Sequence, residues 1–302
     1  MFDTTTESIS TLIKGGNSYL FLLPIYSALL IGERLTHMGL VKDRKWNNPD
    51  TAANIAITVS SLVINTFIGH LLPLGVMALL YEAGHLITLN ETLGGWVLAF
   101  LLYDLAWYMD HRIAHRVGFF WAMHHVHHSS VEYNMTVASR GFVLDITLLS
   151  RPSFYLLPLL GVTPFHFMTV SIGTNIWGIV QHTRLVGKLG WLDRLFATPS
   201  SHRVHHGTEA KYLDRNYGEV LMVWDHLFGT YQTEEEEPTY GVTIPIETHN
   251  PLRIWGAGFG WLRAKQARAL GFRERMKCLW MPPEWHPLET PTTPAHTGWN
   301  DE

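Results

Sequence analysis

Residues 104–128 read D-L-A-W-Y-M-D-H-R-I-A-H-R-V-G-F-F-W-A-M-H-H-V-H-H, and the histidines in this stretch decide the fold. His111 and His115 are spaced i, i+4, while His124, His127 and His128 are spaced i, i+3, i+4. At 3.6 residues per turn those positions share one helix face, so helices would present the imidazoles together. A third cluster, H-R-V-H-H at His202, His205 and His206, repeats the spacing, and His182 lies between the second and third clusters. A single transition-metal ion takes about four to six ligands. These nine histidines exceed that number, which argues for two metals in one site.

The surrounding chain reads as membrane helix. Gly15–Gly32, Thr51–Tyr81 and Pro152–Thr183 carry no Asp, Glu, Lys or Arg, and Thr92–Tyr103 is a shorter charge-free span. A helix of about 20 apolar residues crosses a bilayer core of about 30 Å. The expected fold is therefore an all-α membrane protein, a bundle of about four to five transmembrane helices under a cytosol-facing helical cap that holds a di-metal histidine site. The loop carrying Arg34, Lys42, Arg44 and Lys45 should be cytoplasmic, and Glu82–Glu91, which has no Lys or Arg, should face out. Pro152–His182 reads as an out-and-back hairpin turning near Gly161–Pro164. With that topology a multi-pass chain keeps all histidine clusters on the cytoplasmic side. No A-x-A-like cleavage site follows the first span, so it reads as a retained helix.

Residues 1–100 then form an N-terminal transmembrane region and 101–240 a catalytic region, with 241–302 a C-terminal interfacial segment and tail, all in one integral domain. Arg253–Lys277 mixes Trp255, Phe259, Trp261 and Leu262 with Arg263, Lys265, Arg268 and Arg273, the pattern of an amphipathic helix on a membrane surface or against the cap. The tail from Pro291 to Glu302 reads as disordered. One cysteine, Cys278, excludes an intramolecular disulfide and a Cys-ligated iron–sulfur cluster. A net charge of −4 and no basic patch exclude a nucleic-acid surface.

Imidazole suits iron, copper, zinc and nickel. A zinc pair would mean hydrolysis, as in a membrane zinc-dependent lipid hydrolase, but hydrolytic two-metal sites usually include carboxylates. The histidine clusters contain none, and H-E-x-x-H is absent. An iron pair can activate O2 against an unactivated lipid C–H bond, which favours oxidation. A non-enzymatic metal-handling membrane protein and a bis-His haem protein are the readings from other classes.

The ordered motifs resemble the fatty acid hydroxylase/sterol desaturase superfamily, membrane histidine-rich non-haem di-iron oxygenases. The resemblance runs from Asp104 to Tyr231: D-x3-Y-x2-H-R-x2-H at Asp104–His115, W-A-M-H-H-V-H-H-S-S at Trp121–Ser130 and E-Y-N at Glu132–Asn134. It continues with Q-H-T at Gln181–Thr183, T-P-S-S-H-R-V-H-H-G at Thr198–Gly207, D-R-N-Y-G from Asp214, and W-D-H-L-F-G-T ending at Thr230. The later motifs look most like the alkylglycerol monooxygenase branch. The resemblance implies two Fe ions, O2 as co-substrate, and hydroxylation or desaturation of a lipid or sterol-like substrate. It implies His111, His115, His124, His127, His128, His182, His202, His205 and His206 as metal ligands. His125 is extra, about 100° round the helix from His124, with a supporting or surface role.

Some hydroxylases of the superfamily place a histidine four residues before the position of His182. This chain has Gly178 there, and water held by Asn134, Asn175 or Gln181 could complete the sphere. A ligating imidazole normally donates its other N–H to a carboxylate or carbonyl, and Asp104, Asp110, Asp214 and Asp225 are the nearest carboxylates. With no flavin, haem or cluster motif in the chain, electrons should arrive from an external donor of ferredoxin or cytochrome b5 type, or from a pterin reductant.

Overall fold

The computed structural model describes residues 18–40, 46–68, 72–143 and 150–289. Lys42, Arg44 and Lys45 of the expected cytoplasmic loop, the start of the first expected span and the tail from Pro291 lie outside the described residues. The described chain is all-helical, with three isolated β-bridges and no strand. Three N-terminal helices, α1 (Ser18–Leu40), α2 (Asn48–Ile68) and α3 (Leu72–Ala83), precede the long α4 (Leu93–Arg116) and α5 (Gly118–His128). Two 3-10 turns, Met135–Ser139 and Pro152–Tyr155, lead to α6 (Leu156–Leu159) and α7 (Pro164–Gln181). The C-terminal half adds α8 (Leu192–Leu195), α9 (Pro199–His205), α10 (Val223–Phe228), α11 (Pro251–Arg268) and α12 (Gly271–Trp280).

Local sequence explains the helix starts. Thr92, Thr163 and Thr198 each cap a helix through the side-chain oxygen, and Thr198 forms a reciprocal capping box with Ser201. Pro164 and Pro199 follow their caps at the first helical position, where a missing N–H costs nothing. The Pro152–His182 segment does turn at Gly161, whose φ of +93° suits glycine. Its first limb is shorter than expected, because proline and the tight turn end α6 after one helical turn.

Two cores clamp the histidine helices. Met77, Leu89, Ala99, Tyr103, Phe154 and Leu157 pack α3 and α4 against the α6 hairpin. Ala53 and Ile57 of α2 meet Val126 of α5 and Ile254 and Trp255 of α11. The Arg253–Lys277 stretch is thus two helices and not one, broken at Ala269–Leu270. Its first helix has one face buried on α5, with Trp255 Nε1 donating to the Gly141 carbonyl at 3.0 Å. Phe272 and Trp280 of α12 remain exposed.

No helix among the described residues is long and apolar enough to cross a membrane. Large apolar side chains are nonetheless exposed along α1 to α4, including Ile31, Leu35, Val59, Val63, Leu79, Leu93 and Val97. Charged groups inside the N-terminal helices serve the cap. Glu33 of α1 accepts from the Met135 N–H at 2.8 Å and the Thr183 hydroxyl at 2.6 Å. Asp50 of α2 takes Ser130, the Glu132 N–H and Arg140.

Helix α11 lies close on α5 at Gly258, where a Cβ would stand 2.0 Å from the Ala122 carbonyl oxygen, whereas a Cβ at Gly256 meets open space. Gly258→Ala should therefore destabilise by about 1–3 kcal/mol. Gly256→Ala should be neutral or stabilising by up to about 1 kcal/mol. Thermal unfolding of the two variants side by side checks the contrast.

Candidate metal centre

Each histidine sits at the C-terminal end of a helix. His111 and His115 close α4, and His124, His127 and His128 close α5. His182 is the residue capping α7, and His202, His205 and His206 form the end and cap of α9. A helix C-terminus carries a partial negative charge of about half an electron. Four such ends therefore point at one volume, a field suited to a cation.

The nine imidazoles divide into two groups. His111, His115, His124, His128 and His205 form one, and His127, His182, His202 and His206 the other; within each, the ligand atoms lie within 4.8 Å of one another. The i, i+4 pairs 111/115, 124/128 and 202/206 each serve one group, while His127 and His205 cross to the other. A one-residue step turns a side chain about 100° round a helix, so the doublets His127–His128 and His205–His206 each give one ring to each group. His128 and His206 stack at 4.4 Å between ring centres where the groups meet.

Hydrogen bonds fix the tautomers. The Nδ1–H groups of His111, His127, His182 and His205 donate to the backbone carbonyls of Tyr217 (2.9 Å), Arg140 (3.2 Å), Gly178 (2.7 Å) and Arg215 (2.9 Å). A carbonyl only accepts, so the Nε2 atoms of these rings carry lone pairs. His127 and His182 then face each other, lone pair to lone pair, at 3.4 Å. Further Nε2–Nε2 separations are 3.0 Å for His182–His202 and 3.1 Å for each of His115–His128, His124–His128 and His128–His205. Metal–nitrogen bonds of about 2.1 Å place neighbouring ligand nitrogens roughly 3.0–3.4 Å apart. His206 Nε2 is buried with no hydrogen-bond partner among the described residues. Facing lone pairs, an orphaned nitrogen and an all-imidazole donor set fit a borderline metal ion in each group.

Burial, reinforced in most cases by neighbouring histidines, holds His111, His124, His128, His182, His202, His205 and His206 well below the usual 6.5. The rings are neutral and available as ligands at neutral pH.

Residues 96–230 match the fatty acid hydroxylase family. The matched region carries all nine histidines. Relatives include alkylglycerol monooxygenase of Homo sapiens, 41% identical over 160 residues (53% of this chain, 35% of that protein). The Caenorhabditis elegans protein of the same name is 31% identical over 210 residues (66% and 41%). Ornithine lipid hydroxylase OlsE of Rhizobium tropici is 32% identical over 135 residues (45% and 41%). The chain thus spans less than half the length of these relatives. No solved structure matches it.

Within the matched region, Asp214 alone of the expected supporting residues reaches a ring, 3.5 Å from His115 Nδ1, while also pairing with Arg116 at 2.6 Å. The others hold backbone. Asp104 accepts from the N–H groups of Val220 and Leu221 and from Trp224, and Asp225 from those of Tyr217 and Gly218. Asp110 accepts from the Ser153 N–H. Asn134 caps the Met135–Ser139 turn, Asn175 donates to the Ser171 carbonyl, and Gln181 donates to the Glu219 carbonyl. His125 is buried, not on the surface, beside Trp121 and outside both groups; burial first, then Arg140, lowers it to about 4.

The carbonyls that orient the rings were not legible as residue types. The D-R-N-Y stretch shows how two of them are aimed. Asp214 and Asn216 adopt φ of 59° and 55°, the left-handed region that Asp and Asn tolerate best after glycine. Those kinks turn the Arg215 and Tyr217 carbonyls toward His205 and His111. The Asn216 amide locks the loop by donating to the Ser201 and Gln232 carbonyls at 2.9 and 2.8 Å and accepting from the Gln232 N–H. Sequence reading also passed over Glu219, a buried acid that burial pushes up to about 8 and whose carboxyl fills the space beside Gly178.

Asn216→Ala should cost about 2 kcal/mol or more of stability, and should weaken metal binding about 10–100-fold. Chemical denaturation and competitive chelation measure the two effects. The lowered histidines also set a pH dependence for the metal-free chain. Below about pH 6.5 the unfolded rings bind protons that the folded rings refuse, so stability falls as pH falls, by up to ~1.4 kcal/mol per pH unit for each ring. Urea unfolding of chelator-treated protein from about pH 8 down to about pH 5.5 reads the slope; a flat profile contradicts it.

Proposed function

We propose that the chain is an O2-dependent di-iron oxidoreductase that hydroxylates or desaturates a lipid or sterol-like substrate. His111, His115, His124, His128 and His205 would hold one iron, and His127, His182, His202 and His206 the other. The observation that carries this reading is the division of nine imidazoles, four of them fixed as inward-facing lone pairs, into two adjacent ligand groups. Bound iron supplies redox chemistry with O2 that zinc lacks.

Three things favour iron over a hydrolytic zinc pair. Neither group contains a carboxylate. The relatives bear the names monooxygenase, hydroxylase and desaturase. Seven of the nine rings are buried, so the chain itself shields most of the ligand atoms from water. Its own part is to fix ring tautomers through backbone carbonyls and to shield the centre. Electrons come from a separate carrier of ferredoxin or cytochrome b5 type, or from a pterin. The exposed apolar faces of α1 to α4 support membrane association, with the histidine centre on the cytoplasmic side.

Full-length protein purified from iron-replete cells should contain about two irons per chain and consume lipid only with O2 and reductant. His206→Ala should lower metal content and reduce turnover by at least about 100-fold, whereas His125→Ala retains most of both. Lipid turnover without O2 in zinc-loaded protein would overturn the reading, as would equal losses in the two variants.

A further inference from the structure

The W-D-H-L-F-G-T motif builds a corner that the metal centre does not use. Helix α10 ends at Gly229, whose φ of +71° is left-handed, and it leaves Val223, Leu227 and Phe228 exposed, the last two at 68% and 42%. Cations rim this apolar spot. The Arg112 guanidinium lies 5.7 Å from the Phe228 ring centre, and Arg215 donates to the Gly229 carbonyl at 3.1 Å. Arg194, also exposed, accepts from the His226 ring through its carbonyl at 2.9 Å. None of these arginines pairs with a carboxylate among the described residues. The acids nearby, Asp193 and Asp225, are buried and accept from backbone N–H groups. A line of rings leads inward from the same corner. Phe228 stacks on Tyr108 at 5.3 Å between ring centres, and Tyr108 meets Tyr217 edge-on at 6.0 Å. Tyr217 in turn stands 5.2 Å from His115, 5.8 Å from His111 and 5.9 Å from His205. Both tyrosines are buried, so the rings join an exposed, cation-rimmed spot to three of the five histidines of one group through dry interior.

We propose that this corner docks a small acidic one-electron carrier protein, and that Phe228, Tyr108 and Tyr217 conduct its electron to the five-histidine group. The assignment rests on the lipid-oxidising reading above. In the step the reduced carrier loses one electron and the oxidised metal centre gains one. No bond breaks, and Tyr108 keeps its proton, with its hydroxyl held 2.9 Å from that of Thr230. The rim selects the partner's charge, since three cations without carboxylates steer an acidic surface and turn away a basic one. The size of the spot suits a brief encounter: electron-transfer contacts bury less than about 1,200 Å², with an apolar centre and a charged edge. The corner also stands apart from the apolar start of α4, because Arg112 follows Leu93 by nineteen residues, about 28 Å along the axis. A second pair of rings, Tyr133 and Tyr240 at 4.6 Å, leaves the four-histidine group. It emerges beside Arg184, already paired with Glu132, on the segment that carries exposed Glu235, Glu236 and Glu237. An acidic carrier is repelled there.

The test uses full-length protein in detergent, with a plant-type ferredoxin and the soluble domain of a cytochrome b5 as acidic carriers and cytochrome c as a basic one. At least one acidic carrier should bind zinc-loaded protein and, when reduced, be oxidised by iron-loaded protein, both effects weakening as salt rises; cytochrome c should do neither. Leu227→Glu and Arg194→Glu should each slow the encounter about tenfold or more, with metal content and dithionite-driven lipid turnover unchanged. Phe228→Leu keeps the apolar contact but removes the ring, so it should leave binding intact and slow carrier oxidation at saturation. Unchanged encounter rates in Leu227→Glu and Arg194→Glu overturn the docking site, and unchanged oxidation in Phe228→Leu overturns the path. If the same substitutions release the protein from phosphatidylserine vesicles and leave carrier oxidation alone, the corner is a membrane face and the assignment falls. Lipid turnover with dithionite and O2, but no transfer from either acidic carrier, sinks the assignment while lipid oxidation stands. No turnover with any reductant removes the lipid-oxidising reading first, and carrier binding to zinc-loaded protein then still decides the docking site.

Discussion

Four helix ends meet with their imidazole lone pairs turned toward one another, and most of the fold exists to hold that unfavourable arrangement. Nε2 atoms 3.0–3.4 Å apart repel when neither carries a proton. The C-terminal partial charges of α4, α5, α7 and α9 add to the negative potential. A cation in each group reverses the sign of every one of these terms. The cores on either side oppose the repulsion mechanically: α5 is pressed between α2 and α11, and α4 against the α6 hairpin. This explains why Gly258 tolerates no Cβ, since α11 must lie directly on the backbone of the histidine helix.

Ring orientation is delegated to the backbone. Carbonyls of Tyr217, Arg215, Arg140 and Gly178 hold four Nδ1–H groups, and buried side chains hold those carbonyls in turn. Arg140 is the clearest case. Its guanidinium is buried and bonded to the Val126 carbonyl, Asp50 and Ser129, so the carbonyl that receives His127 is fixed from both α2 and α5. Asp225 plays the matching part for Tyr217. A carbonyl orients a ring as well as a carboxylate does but adds no charge, which leaves the positive charge of a bound metal to be balanced elsewhere.

That division explains what could be read from the chain alone. The histidine spacing has a direct geometric meaning, so two groups could be expected from counting, and the H-H doublets contain the instruction that splits them. Asp214 could be found because it is a carboxylate next to a motif. The carbonyls could not, because every residue has one and only the path of the chain decides where it points. The positive φ at Asp214 and Asn216 is a partial exception, since Asp and Asn four and two residues before Gly218 already suggest a sharply kinked loop. The membrane helices illustrate the opposite failure. Absence of charge over Thr51–Tyr81 was read as one continuous span, whereas α2 and α3 divide it. Asp50, just before it, and Glu33 of α1 are tied to the cap by buried hydrogen bonds.

Helix α4 joins the apolar exterior to the chemistry. Leu93, Val97 and Leu101 are exposed near its start, and His111 follows Val97 by fourteen residues, about 21 Å along the axis at 1.5 Å per residue. Trp107 and Asp110 stand between them. Beyond Trp107 the helix surface changes from Leu and Val to Asp and His within two turns. On the lipid-oxidising reading proposed above, that change of surface would limit how far a lipid advances, because burying another methylene against imidazoles gains less than leaving it on Leu93–Leu101. On that reading one rigid element would set both substrate depth and metal position, and a shift of α4 along its axis would move both together.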